Sequence, residues 1–327
     1  MSRQNQILSI LLVVQIVVAA VVFWPRPAAT AGGGNLLAGL TSDKIAKLTI
    51  RDATGQVQLA KGSNGWVLPQ ADDYPCQTSK VQSLLDKIVA VKTNRLVAQA
   101  STSQKQLKVA DQDFERSIEL ELADGTPYRL YLGTSAGYQA THVRLQGRNE
   151  IYLASGLSSA DAPAQASGWV DTAYFSVPQD QVTAFTVENK NGVFDLEKNE
   201  AGAWTLKGLA AGETVSDNNI QSMLTQAASI ALTQPLGKKE QDTYGLKSPS
   251  AVVTIKTRDQ AGTIKTSTLR VGAKDEKDGS YVVISSESPY YVRVAGYGVQ
   301  NFVEKARDYF LQAPPTVAPA SAPTRSP

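Results

Sequence analysis

The chain of 327 residues has one cysteine, Cys76, one histidine, His142, and two methionines. A single cysteine cannot close an internal disulfide, and one histidine without a cysteine cluster cannot build a zinc site. No cofactor and no metal are expected. Charge of one sign is also lacking, since 32 basic residues face 30 acidic ones and the signs are mixed along the chain. No nucleic acid partner is expected, because that would need a clustered basic face. Cys76 stands in "DDYPCQTSK" ahead of a helix pattern, where a helix N-terminus could lower a thiol pKa. With no basic or resolving partner nearby, it reads as a small structural residue.

What is present begins with one long apolar run. "ILSILLVVQIVVAAVVFW", from Ile7 to Trp24, carries no charge. As a helix it would rise about 27 Å, close to the hydrocarbon thickness of a bilayer. Ile7, Leu11, Val14, Val18, Val22 and Trp24 mark this membrane anchor, with Trp24 at the interface and Pro25 ending the helix. A cleaved signal peptide is the competing reading, with Ala29 and Ala31 forming a small-x-small site before Gly32. The run exceeds the usual signal core of ~7–15 residues, which favours an uncleaved single-pass anchor. Arg3 and Arg26 flank it almost evenly. The short leading segment leaves the N-terminus inside and the globular part extracytoplasmic.

The rest of the chain says much the same thing twice. "VQSLLDKI" at Val81 returns as "IQSMLTQA" at Ile220, 139 residues later. "DKIAKLTI" at Asp43 matches "DQVTAFTV" at Asp180, and "GWVL" matches "AWTL", pairing Trp66 with Trp204. "LYLG" ending at Gly133 matches "LRVG" ending at Gly272, and "IYL" at Ile151 matches "YYV" at Tyr290. Offsets this steady indicate a domain-sized tandem repeat. Val81, Leu84, Leu85, Ile88 and Val91 form one helical stripe, and Ile220, Met223, Leu224, Ala227 and Ile230 form its counterpart. Thr78 and Ser216 are placed as N-caps. Stretches such as "SIELELADGTPYRLYLG" alternate at period two around Asp124-Gly125, the pattern of antiparallel strands with one wet face.

The expected fold class is therefore α+β. Two tandem repeats, each a mostly antiparallel sheet covered by one main amphipathic helix, would follow an N-terminal transmembrane helix. The expected segments are an anchor over 1–24, a flexible linker over 25–42, a first repeat over 43–160 and an inter-repeat segment over 161–179. A second repeat over 180–312 and a disordered Pro/Ala-rich tail over 313–327 complete the chain.

Four places carry residue types that could do chemistry or bind a ligand. "GTSAG", Gly133–Gly137, has Ser135 central and His142 seven residues on, but a nucleophile elbow needs strand, turn and helix, and here strands lie on both sides. The loop "DEKDG" (Asp275, Glu276, Asp278, Gly279) lacks the alternating ligands of a calcium loop. Trp66 and Trp204 hold equivalent strand positions, which suits core anchors. Tyr281, Tyr290, Tyr291 and Tyr297 are the candidate exposed aromatics.

An N-terminal apolar run, "DKIAKLTI", "GWVL", the amphipathic helix and "YGLKSPSAVVTI" (Tyr244, Gly245, Leu246, Pro249) together resemble a bacterial domain-of-unknown-function family, number 4340. The first repeat departs from it, reading "LKVADQDFERSIEL" without the Tyr-Gly pair. The resemblance implies a bacterial cytoplasmic membrane location and neighbours among ABC-transporter permease and auxiliary subunits, but no reaction. The expectation is a non-enzymatic, membrane-tethered interaction module, an accessory of an ABC-transporter-like complex. An envelope polysaccharide- or peptide-binding module is the alternative, and a serine hydrolase using Ser135 a remote third.

Overall fold

The computed structural model describes residues 33–313 together with Gln15. Its first sheet is built from β1 (Ile45–Arg51), β2 (Gln56–Gly62), β3 (Gly65–Leu68), β4 (Tyr74–Pro75), β5 (Leu96–Ala98), β6 (Arg116–Leu122), β7 (Pro127–Gly137), β8 (Ala140–Leu145) and β9 (Ile151–Ser155). The spatial order is β4-β3-β2-β1-β6-β7-β8-β9-β5. Helix α1 (Thr78–Val89) precedes β5, and the short α2 (Ser101–Gln106) follows it. A two-stranded connection, β10 (Ala173–Ser176) with β14 (Ser229–Ala231), leads to the second sheet.

That sheet contains β11 (Val182–Asn189), β12 (Gly192–Lys198), β13 (Trp204–Leu206), β15 (Gln234–Gly237), β16 (Ala251–Arg258), β17 (Ile264–Lys274), β18 (Tyr281–Ser285) and β19 (Tyr291–Val294). Its order is β13-β12-β11-β16-β17-β18-β19-β15, with α3 (Asp217–Ala227) before β15 and α4 (Gly296–Glu304) after β19. Strand for strand this repeats the first sheet from β3 onward. Even the irregularities recur: the β1–β6 pairing slips between Ile45 and Lys47, and the β11–β16 pairing slips between Val182 and Ala184.

Alternation explains the core. Ile45, Leu48 and Ile50 of β1 point inward, as do Val182, Phe185 and Val187 of β11. Helix α1 buries Val81, Leu84, Leu85 and Ile88, and α3 buries Ile220, Met223, Leu224 and Ala227. Each large side chain among these contributes about 1.5–3 kcal/mol. Val91 and Ile230 are buried beyond the helix ends, Ile230 on β14. The capping expectation fails at both helices. Thr78 is already the first helical residue, and its Oγ1 accepts from the Trp66 amide at 3.4 Å, while Ser216 makes no side-chain cap.

The expectation of one main helix over each sheet is overturned. The structure is mostly antiparallel sheet, and the sheets have nine and eight strands. At about 4.8 Å per strand they are several times wider than a helix, which is about 10 Å across. The second sheet is covered by α3 and by α4, which packs on β11, β16 and β17. In the first half Leu37, Leu40, Leu157 and Trp169, all from irregular segments, join the core cluster beside α1. Pieces this short show no helical period, so the sequence displayed only the longest one. Residues 35–40, expected in a flexible linker, are packed down: the Leu36 amide donates to the Val91 carbonyl at 2.7 Å.

Among the described residues no helix is long and apolar enough to cross a membrane. The expected transmembrane helix, marked by Ile7, Leu11, Val14, Val18, Val22 and Trp24, falls outside the described residues, as does the tail beyond residue 313. One match also shifts. Val143 pairs with Tyr152 and Val283 with Val292, so Ile151 corresponds to Tyr291 rather than to Tyr290.

Candidate interaction surfaces

The residues flagged for chemistry do not converge. Ser135 lies on β7, and its Oγ donates to the Gly137 carbonyl at 2.9 Å. His142, on β8, places Nδ1 3.0 Å from Thr134 Oγ1 and 2.8 Å from the Thr134 carbonyl. Strand leads to strand at this hairpin, so the strained turn of a nucleophile elbow is missing. Burial pushes the Cys76 thiol up to about 12, the opposite of an activated thiolate. Asp275 pairs with Arg293 at 3.0 Å, and Asp278 accepts from the Ser280 amide. Among the described residues no three His, Cys, Asp or Glu side chains gather as a metal site would require.

The tyrosines divide. Tyr281 is buried, which corrects the expectation that it is exposed; its strand runs through the interior of the second sheet. Tyr290 and Tyr291 are half-buried and point to different neighbours. Tyr290 meets Tyr74 edge-on with ring centroids 4.7 Å apart, and Tyr291 lies 5.4 Å from Tyr244. Of these four, Tyr297 alone stands in solvent, 85% exposed at the start of α4. Trp66 is buried as expected, and Trp204 is half-buried, 5.3 Å from Phe185. Tyr244 and Leu246 anchor a small cluster, with Gly245 between them in the left-handed region and Pro249 half-buried after them.

Tyr290 belongs to a junction between the two halves that sequence reasoning missed. The Lys238 amide donates to Asp72 Oδ2 at 2.7 Å, and the Tyr290 hydroxyl donates to the Asp73 carbonyl at 3.1 Å. Lys238 Nζ sits 4.8 Å above the Tyr290 ring. Burial, then the neighbouring Tyr174, Asp171 and Tyr290, push the Tyr74 hydroxyl up to about 12. The connecting segment fastens to both sides. The Trp169 carbonyl accepts from the Gln77 amide at 2.7 Å, and the Tyr174 hydroxyl donates to the Tyr290 carbonyl at 2.7 Å. Contacts between residues this far apart in the chain leave no local pattern in the sequence.

Beside the junction runs a groove of about 450 Å³. Gln56, Gln70, Gln165, Ser167, Thr233 and Gln234 supply its polar wall, over Val57, Leu68 and Pro235. A second hollow of about 480 Å³ shares Gln70, Gln234 and Pro235 and extends it toward Arg293. Strand β3 stops at Leu68, and the Gln70 side-chain amide, oriented to match, takes both main-chain groups of Gln58 at 3.1 Å. Two residues back along β2, Gln56 turns its N–H and C=O to the same side, where no strand lies opposite.

Residues 66–235 match the family described as Domain of unknown function (DUF4340). The chain belongs to this family. The DUF4340 match begins in β3 and ends in β15, so it straddles the junction and takes in most of the groove wall. No curated protein and no solved structure matches the chain.

Proposed function

We propose that this protein is a non-enzymatic, membrane-tethered extracytoplasmic interaction module, an accessory component of an ABC-transporter-like membrane complex, built from two copies of one sheet unit. The junction groove carries this reading. It offers the uncovered main-chain N–H and C=O of Gln56, at the start of β2, beside amides and hydroxyls, which suits the main chain of an extended partner segment. The common strand order of the two sheets supports the two copies. The apolar run from Ile7 to Trp24 supports the tether, which would raise the effective concentration of the groove at the membrane.

The test is photocrosslinking in the native host, with a photoreactive residue placed at Ser167 in the full-length chain and a control at the exposed Val193. Capture of a permease or ATPase subunit from 167 and not from 193 is the expected result. No crosslinked protein from 167 would overturn it. A second reading, an envelope polysaccharide in the same groove, is favoured by the uncharged amide and hydroxyl wall. Glycan recovered at 167 in place of protein would select it. Labelling by a serine-reactive phosphonate that is lost in Ser135→Ala would overturn the non-enzymatic part.

A further inference from the structure

We propose that one end of the first sheet, the end bearing Tyr138, rests on an anionic lipid surface. The inference depends on the tether reading, and its geometry comes from where the chain joins the first sheet. Gly34 accepts from the Thr93 amide at 3.0 Å, and Asn35 bridges to Lys92, so the chain enters beside the residues just ahead of β5. Only the stretch from Pro25 to Gly32 separates this entry from Trp24. Fully extended, a stretch of that length reaches about 29 Å. The entry end of the first sheet is therefore held close to the bilayer.

That end has the composition an anionic bilayer attracts. Tyr138, at the tip of the β7–β8 hairpin, is 94% exposed. On the edge strand β5, Leu96 and Val97 are 41% and 45% exposed. Hydrogen bonds bring them to the same end: Gly156 donates its amide to the Gln139 carbonyl at 2.7 Å, and Arg95 Nη1 donates to Ser155 Oγ at 3.3 Å. Arg95 and Lys92 are in no ion pair with a described carboxylate. In neighbouring loops Asp113 pairs with Lys108 and Asp161 with Lys87. A phenol and short aliphatics partition into the headgroup region, and free cations are drawn to anionic lipid within a Debye length.

The second sheet supplies the contrast. Leu96 pairs with Tyr152 and Pro235 with Val292, so Pro235 takes the place of Leu96 and Gln234 that of Arg95. The hairpin equivalent to the Tyr138 tip carries Asp275, Glu276 and Asp278 together with Lys274 and Lys277, and Asp275 pairs with Arg293. That tip presents no exposed aromatic or aliphatic side chain to insert, since Tyr281 beside it is buried, and its charges are mixed.

The full-length chain, in nanodiscs of phosphatidylglycerol and phosphatidylethanolamine, tests this with an environment-sensitive label on one introduced cysteine in a Cys76→Ser background. Three labelled variants are compared: Tyr138→Cys, Glu276→Cys and Arg26→Cys. Doxyl lipids should quench the labels at 138 and 26 about twofold or more and leave 276 unaffected. Quenching at 138 should fall in the Lys92→Glu/Arg95→Glu double variant. A label at 26 quenched while 138 is not would overturn the lipid contact and leave the tether standing. No quenching at 26 would overturn the tether and the contact with it. Equal quenching at 138 and 276 would also overturn the contact, since the argument separates the two tips.

Discussion

In the first half the carbonyl of Val109 accepts from Arg144 Nε on β8 at 2.6 Å; in the second, the carbonyl of Leu246 accepts from Arg270 on β17. The two carbonyls are equivalent, since Gly133 and Gly272 lie under the same kind of turn: a Cβ on Gly133 would meet Leu107 O at 1.9 Å, and one on Gly272 would meet Tyr244 O at 2.0 Å. The two arginines are not equivalent. Leu132 pairs with Val143 and Val271 with Val283, so Arg144 corresponds to Ile284, and Arg270 to Tyr131. Arg144 stacks on Tyr131, 4.8 Å from the ring, and also pairs with Asp111. A guanidinium thus meets the turn in both halves, supplied from β8 in the first and from β17 in the second. Reading one half against the other by residue identity alone would miss this.

The comparison can be broken at its strictest point. Gly133→Ala and Gly272→Ala each drive a methyl into a main-chain oxygen, and each should cost about 4 kcal/mol in thermal or urea unfolding. Equal losses would show that both halves need the same close approach. Next come the arginines. Arg144→Ala strips the Val109 and Arg148 carbonyls of a buried donor and should cost about 3 kcal/mol, against about 1 kcal/mol for the more exposed Arg270→Ala.

Smaller effects sharpen the same contrast. Lys108 holds a left-handed conformation, φ +57, where the second half has Gly245 at φ +67. Gly245→Ala would bring its Cβ to 2.9 Å from the Ala273 amide and should cost about 2 kcal/mol, whereas Lys108→Gly should gain less than about 1 kcal/mol. Calorimetry on the two variants checks the opposite signs.

The last difference is one of pH. The segment closing the second half is held by Arg307 on Glu213 at 2.6 Å, and this guanidinium brings the Glu213 carboxyl down to about 2 from its usual 4.5. A depressed carboxyl contributes fully above about 4.5 and loses its contribution as pH falls toward 2. The segment closing the first half is held at Trp169 and Val170 by Gln77, with no carboxylate in those bonds. As pH falls from 5 to 2.5, amide protection, corrected for the intrinsic exchange rate at each pH, should therefore be lost over 305–312 before 166–171. Glu213→Gln should remove the pH dependence.

Much of this was legible. The stripes Val81–Ile88 and Ile220–Ala227, the alternation of β1 and β11, and Trp66 in the core are local patterns, and local patterns survive in sequence. The turn around Lys108 was not legible, because a lysine at positive φ looks like any other lysine. The burial of Tyr281 was missed because a two-residue period gives alternate faces without saying which strand is interior. The groove and the contact of Asp72 with Lys238 depend on how the halves dock, and no spacing encodes that.

The Arg307–Glu213 clasp has a consequence for assembly. The turn of the first half at Pro69–Ala71 receives strand β15 of the second, a head-to-tail contact between like parts. Such a contact does not close on itself; repeated, it would string molecule after molecule into a fibre. The corresponding turn in the second half is already occupied, because Arg307 donates to the Gly208 carbonyl at 2.8 Å. The closing segment thus lies on the second half where β15 lies on the first, and the chain fills with its own end the place that a neighbour's strand would need.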